Sequence, residues 1–251
     1  MEKTSSPRHI RVMGILNLTP DSFYAGSRYN MSILESGADI VDIGACSTRP
    51  GSSPVGAKEE WKRMKNTLAL IHRDFPGQAL SIDTYWSEVV LRAYDLIGPF
   101  IVNDVSAGDE DKRMFRTVAE LGLEYIPMHH GPADGVSDIL SFYEEFSVKA
   151  SYEGIRDWIV DPGFGFGKSV EQNFAVFHNL ERLQECGKPV LVGISRKRMV
   201  WQPLGLTPDT AGEATQKLHL EALERGADIL RVHDVPETRR TIEDYFASGV
   251  R

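Results

Sequence analysis

Eight short, continuous apolar runs punctuate the chain, and each ends in polar side chains. Val12-Met13-Gly14-Ile15-Leu16 ends at Asn17, and Ile40-Val41-Asp42-Ile43-Gly44 leads into Ser47-Thr48-Arg49. Ala79-Leu80-Ser81-Ile82 ends at Asp83, Phe100-Ile101-Val102 at Asn103-Asp104, and Tyr125-Ile126-Pro127-Met128 at His129-His130. Trp158-Ile159-Val160 ends at Asp161, Val190 to Ile194 at Ser195-Arg196-Lys197, and Ile229-Leu230 at Arg231-Val232-His233-Asp234. Runs this short and this apolar read as strands buried on both faces of a parallel sheet. Amphipathic stretches at about 57–75, 86–97, 110–121, 138–154, 171–186, 212–226 and 237–247 separate them and read as helices. Gly37, Gly122, Gly154, Gly187 and Gly226 stand where a helix should stop.

Eight strand–helix units in 251 residues predict an α/β fold, a single-domain (β/α)8 TIM barrel, with residues 1–10 as an N-terminal tail and 11–251 as the barrel. The first unit is the exception. Only Met31 to Ser36 remain for its helix, so that helix is vestigial or a stretch of chain is missing there. In such a barrel the carboxyl ends of the strands form the active site, and here they carry Asn, Asp, Arg, Lys and His.

Composition narrows the reading. No apolar stretch approaches the ~20 residues of a membrane helix. The polar start, Met1 to His9, lacks a signal-peptide core, and two cysteines, Cys46 and Cys186, give no disulfide framework. A cytoplasmic protein is expected. The formal charge of −8 argues against general nucleic-acid or membrane-surface binding. Against that background Arg49, Lys197, Arg198, Arg231 and His233 would gather at one face as a local anion site.

Three groups of residues suggest chemistry. Asp83, Asn103 and Asp161, all at strand ends, can read the donor edge of a planar heterocycle, since a carboxylate pairs with adjacent ring N–H and exocyclic NH2 groups. Each alone reads equally well as a helix cap, and two acids in a barrel mouth also suit a glycosidase. The neighbouring cations favour an anionic substrate instead. Asp161-Pro162-Gly163-Phe164-Gly165-Phe166-Gly167-Lys168-Ser169 is not a phosphate loop of the Walker type, because Pro162 stands in place of the first glycine. Its glycines would let a flat ligand or a neighbouring loop approach closely. Ser195 to Arg198 opens a helix, and Arg231 and His233 lie two apart on one strand face. Together they suit the phosphate site that barrels place after their seventh and eighth strands. Asn17 offers an amide oxygen to Mg2+, an ion that takes few protein ligands and completes its shell with water and substrate phosphates. His129-His130 lacks further partners at zinc-ligand spacing and reads as site wall. Phe23, Tyr24 and Tyr29 read as loop aromatics, either covering a ligand or anchoring the loop.

These motifs together resemble the dihydropteroate synthase family. Val12 to Phe23 is similar to its first signature and Asp42 to Gly51 to its second. Ser81-Ile82-Asp83-Thr84, Val102-Asn103-Asp104-Val105, Asp161 to Lys168, Ser195-Arg196-Lys197 and Arg231 to Val235 follow in the family's order, over nearly the whole chain. The resemblance implies condensation of 6-hydroxymethyl-7,8-dihydropterin diphosphate with para-aminobenzoate, releasing pyrophosphate and giving 7,8-dihydropteroate for folate synthesis. It also implies a Mg2+ cofactor on Asn17 and a homodimer. Asp83, Asn103, Asp161 and Lys197 would hold the pterin, Arg231 and His233 the diphosphate, and Thr48 and Arg49 would help bind substrates. Asp83, Asp161, Lys197 and Arg49 would carry the chemistry. The implied mechanism is dissociative: the C–O bond breaks first and the amine attacks a pterin methylene cation. The chain departs from the pattern in its short first helix, its short stretch after Met128, and Ala25-Gly26-Ser27 in loop one. Cys46 stands where Glu is common, and Arg198 where a small hydroxyl residue is frequent. Arg198 is expected to attract the aminobenzoate carboxylate. A pterin-dependent methyltransferase domain or a non-catalytic pterin-binding barrel are the alternatives.

Overall fold

The computed structural model describes residues 9–18, 31–46 and 55–249. Seven parallel strands form one sheet: β1 (Arg11–Asn17), β2 (Ile40–Gly44), β3 (Ala79–Asp83), β4 (Ile101–Asp104), β5 (Glu124–Pro127), β6 (Leu191–Val192) and β7 (Ile229–Val232). Their order is β5-β4-β3-β2-β1-β7-β6. Helices α1 (Ala57–Asp74), α2 (Ser87–Ile97), α3 (Met114–Leu121), α4 (Val136–Glu153), α5 (Val170–Phe177), α6 (Arg198–Trp201), α7 (Gly212–Glu224) and α8 (Val235–Ala247) lie between them.

Seven of the eight expected strands are laddered in the sheet. The sixth apolar run is not a ladder strand: it meets β5 through the isolated bridges Tyr125↔Trp158 and Met128↔Asp161, and meets the run before β6 through Val160↔Val190. Its hydrogen bonds still reach both edges of the sheet, with Ile159 N donating to Tyr125 O at 2.9 Å and Leu191 N to Val160 O at 2.8 Å. The sheet is therefore curled and barrel-like, with a weakly laddered seam. Prolines explain the seam, since Pro127, Pro162 and Pro189 flank it and carry no N–H to donate. The Tyr143 hydroxyl from α4 supplies part of what is missing. It lies 2.6 Å from Pro127 O and 2.7 Å from Asp161 O, and accepts from Asp161 N at 2.7 Å.

The helices match their expected positions with two changes. The stretch read as one helix over 171–186 is α5 followed by a 3-10 turn over Leu180–Cys186. The first unit contains a 3-10 turn at Met31–Glu35, in keeping with its shortness. Strand residues of alternate parity build two cores. Val41, Ile43, Ile82, Val102, Val160 and Leu230 face the helices as part of the main core. Met13, Ile40, Ile101, Ile126, Ile159, Leu191 and Ile229 form a separate cluster inside the curl. Each such side chain contributes roughly 1.5–3 kcal/mol by leaving water.

Candidate active site

Side chains two residues apart on a strand share a face. Two positions beyond the inner apolar cluster, the same strands therefore present Ile15, Asp42, Asn103, Met128, Asp161, Gly193 and Arg231 to the interior. Four of these seven are charged or amide side chains. Asp83 joins them from β3, where the register aligns it with Gly44 on one side and Asn103 on the other.

Arg231 is the hub of this layer. Its Nε donates to Asp42 Oδ2 at 2.7 Å, and its Nη2 lies 2.6 Å from the same oxygen and 2.9 Å from Asp83 Oδ2. Asn103 Nδ2 lies 3.3 and 3.2 Å from the two oxygens of Asp42, whose side chain is fully buried. Burial works against the Arg231 charge, but Asp42 and Asp83 outweigh it and hold the guanidinium above the usual arginine range. Burial pushes the Asp83 carboxyl up to about 7; Asp42 adds to this and Arg231 opposes it.

Asp161 and Lys197 form the second half of the layer. Asp161 Oδ1 accepts from Gly163 N at 2.8 Å. Burial raises its carboxyl, and Lys197 is the largest influence in the other direction. The Lys197 ammonium donates to the Phe164 carbonyl and stands 4.5 Å over the Phe166 ring. Burial lowers it to about 7, with Asp161 opposing that shift.

The glycines of the 161–168 segment have the steric duty that their spacing suggested. At Gly163, φ is +66° and a Cβ would lie 1.8 Å from His129 O. The loop is clamped by Lys168, whose Nζ reaches His129 Nδ1 at 3.0 Å and the carbonyls of Gly163 and Phe166 at 3.1 and 3.3 Å. Burial lowers Lys168 to about 8 and His129 to about 4. His129 is thus a neutral acceptor in the wall. A capping box between Ser169 and Gln172 starts α5 directly after the clamp.

The remaining expected residues divide. His233 sits beside the cluster, with Nδ1 3.0 Å from Ser195 Oγ, and burial lowers it to about 3, so it acts as a neutral imidazole here. Arg198 does not join the buried group. It is exposed at the start of α6, and its charge bears on Glu171 at the start of α5. Because α6 has only four residues, it offers little of the helix-terminus field expected there. Thr48 and Arg49 lie outside the described residues, as do the loop aromatics Phe23, Tyr24 and Tyr29. Asn17 ends β1 opposite Gly44. A Cβ at Gly44 would lie 3.5 Å from Asp83 Oδ2 and 3.7 Å from Asn17 Oδ1, so both oxygens border the space left by that glycine. Two hard oxygens suit Mg2+. Among the described residues no group of three or more His, Cys, Asp or Glu side chains is arranged to hold a metal.

The sequence motifs contain Asp42 and Lys168 without indicating what either does. Asp42 had a signal: it is the one charged residue inside its apolar run, which requires buried partners. Lys168 had none, because its partners are carbonyls and a histidine brought from another loop.

The matches with known proteins agree with this geometry. Residues 13–233 match the family described as pterin binding enzyme. The chain is 37% identical to the dihydropteroate synthase of Clostridium beijerinckii over 245 residues, covering 91% of this chain and 90% of that one. The chain belongs to the dihydropteroate synthase family. The Bacillus subtilis dihydropteroate synthase is also 37% identical, over 91% of this chain and 85% of its own. Among solved structures, the Xanthomonas albilineans enzyme with 4-aminobenzoic acid superposes with a TM-score of 0.87 at 36% identity, over 96% of this chain and 93% of that chain. The Yersinia pestis enzyme in a sulfonamide complex gives 0.90 at 31% identity, over 97% and 95%. No helix among the described residues is long and apolar enough to cross a membrane.

Proposed function

We propose that this member of the dihydropteroate synthase family condenses 6-hydroxymethyl-7,8-dihydropterin diphosphate with para-aminobenzoate to give 7,8-dihydropteroate and pyrophosphate. One observation carries the reading. The interior layer sets oxygen acceptors from Asp83, Asn103 and Asp161 next to the cations Lys197 and Arg231. A 2-amino-4-oxo ring with an anionic tail needs both: acceptors for its N–H and NH2 edge, and positive charge for its carbonyl and diphosphate.

Asp83, Asn103, Asp161 and Lys197 bind the ring in this reading, while Arg231 and His233 bind the diphosphate. The substrate C–O bond breaks and pyrophosphate leaves towards Arg231. Positive charge then spreads into the ring beside Asp83 and Asp161, where fixed carboxylates stabilise it most in a water-poor site. The aminobenzoate nitrogen forms the new C–N bond and loses a proton. Asn17 would be the protein ligand for Mg2+, with Asp83 beside it, and the ion would supply positive charge for the leaving diphosphate. Thr48 and Arg49 are assigned to substrate binding by the resemblance alone. We read the seam segment as the eighth strand of a single (β/α)8 barrel over residues 11–251, and the protein as a cytoplasmic homodimer.

The direct test is turnover followed by mass spectrometry with the pterin diphosphate, para-aminobenzoate and Mg2+. Dihydropteroate and equimolar pyrophosphate are expected, with product formation reduced on the order of 100- to 1,000-fold in Lys197→Ala. Tight pterin binding without any product would instead favour a non-catalytic binding protein.

A further inference from the structure

Asp42 has no assigned role, yet it touches Asn103, placed at the ring, and Arg231, placed at the diphosphate. Its carboxylate is wholly buried in the middle of β2, held by Arg231 on one side and by the Asn103 amide on the other. A carboxylate only accepts, so the Asn103 group facing it must be the NH2. The reverse orientation would set Asn103 Oδ1 against two oxygens at 3.2–3.3 Å. The amide orientation is thus dictated by chemistry. Among the described residues no donor reaches Asn103 Oδ1, and it is not a sealed orphan atom either, so it remains an open acceptor.

We propose that Asp42 is a positioning residue that fixes ring specificity: it pins the Asn103 amide so that an oxygen, not an NH2, faces the ligand, and it holds Arg231 alongside Asp83. The inference rests on the pterin reading for the identity of the ring, but not for the amide orientation. Through Asp42 the wall presents acceptors from Asp83, Asn103 and Asp161. That pattern selects rings with a 2-amino group over otherwise equal rings without one. In Asp42→Asn the new amide can donate, Asn103 is free to turn, and an NH2 can then face a donor edge.

The test compares equilibrium binding of 6-hydroxymethylpterin and its 2-deamino analogue by calorimetry. The parent is expected to favour the amino ring by about 10-fold or more, because an unpaired buried polar group weighs heavily on discrimination. Asp42→Asn should shrink the preference to about 3-fold or less. The exchanged pair Asp42→Asn with Asn103→Asp should restore it, since an aspartate at position 103 is an acceptor in either orientation while the amide introduced at position 42 donates to it. A merely structural Asp42 would not be rescued in this way. An unchanged preference in the folded single variant, or a folded exchange pair without recovery, overturns the proposal. If the single variant does not fold, the exchange pair decides alone. The Asn103 side-chain amide is also followed by 15N NMR without ligand. Amide protons protected in the parent and exposed in Asp42→Asn or, where that variant does not fold, shifted in Asp42→Glu support the pinning; unprotected protons in the parent refute it. A parent that binds neither ring overturns the pterin reading, and the ligand-free spectrum then still decides the orientation.

Discussion

Two layers inside the curled sheet differ completely although they share strands and face. The lower is Met13, Ile40, Ile101, Ile126, Ile159, Leu191 and Ile229, all apolar and sealed. Two residues further along, Asp42, Asn103, Asp161 and Arg231 are polar: short contacts tie Arg231 and Asn103 to Asp42, burial raises the Asp161 carboxyl, and the neighbouring carboxylates hold the Arg231 guanidinium above its usual range. The difference shows how one scaffold separates its tasks. The lower layer stabilises by burial, which is non-directional. The upper layer puts charges in a place that burial alone would forbid, and it survives because each is paired or hydrogen-bonded. Stability and recognition should therefore be separable by mutation.

The largest expected effect is on the lower layer. Ile229→Ala removes a fully buried side chain two positions before Arg231, and should lower unfolding free energy by about 2–5 kcal/mol. Turnover per folded molecule should stay near the parent's. Denaturant unfolding and activity at low temperature check both. A large fall in kcat with intact stability would erase the distinction between the layers.

Next comes Gly163→Ala, which attacks the upper layer through its backbone. A positive φ and a Cβ 1.8 Å from the His129 carbonyl force the loop to move. The cost is expected at about 2–4 kcal/mol. The same shift displaces the Phe164 carbonyl that receives Lys197. Activity and stability should fall together, unlike in Ile229→Ala.

Acidity sharpens the contrast further. Asp83 must be ionised to accept from the ring and Lys197 protonated to donate, and both lie at about 7. The kcat/KM profile should be a narrow bell, its acid limb from Asp83 and its alkaline limb from Lys197. Lys197→Arg should remove the alkaline limb. A flat profile from pH 5.5 to 9 would be the contrary result, these limits being roughly the range where both groups titrate. Stability carries the opposite trends. Asp83 binds its proton more tightly when folded, so its contribution is whole below about pH 4 and is lost as pH rises through about 7. Lys197 binds its proton less tightly when folded, so stability recovers as pH rises from about 7 towards 10.5.

The lower layer and the strand ends were legible in the sequence, because burial on both faces leaves continuous apolar runs. Asp83, Asn103, Asp161, Lys197 and Arg231 were found at those ends for the same reason. The contacts among them were not legible: Arg231 reaches Asp42 and Asp83 across 189 and 148 residues. Nor was the seam, where Pro189 and Pro162 break up a run whose composition reads as an ordinary strand. Asp42 shows the limit most clearly, since its apolar neighbours mark it as strand while its partners, which give it meaning, come from β4 and β7.

The smallest expected effect lies outside both layers. Arg198 was read from the sequence as a partner for the aminobenzoate carboxylate, but it stands exposed near Glu171 rather than among the buried cations. An exposed guanidinium acts through a screened field, so it steers more than it holds. Arg198→Ala should raise KM for para-aminobenzoate by only about 2- to 5-fold, leave kcat unchanged, and lose even that difference at high salt. Lys197 is one residue away in sequence, yet burial and Asp161 give it a different environment. If the Arg198 effect matched that of Lys197→Ala and persisted in high salt, the exposed position would have to close onto the substrate, and the boundary between the buried layer and its rim would need to be redrawn.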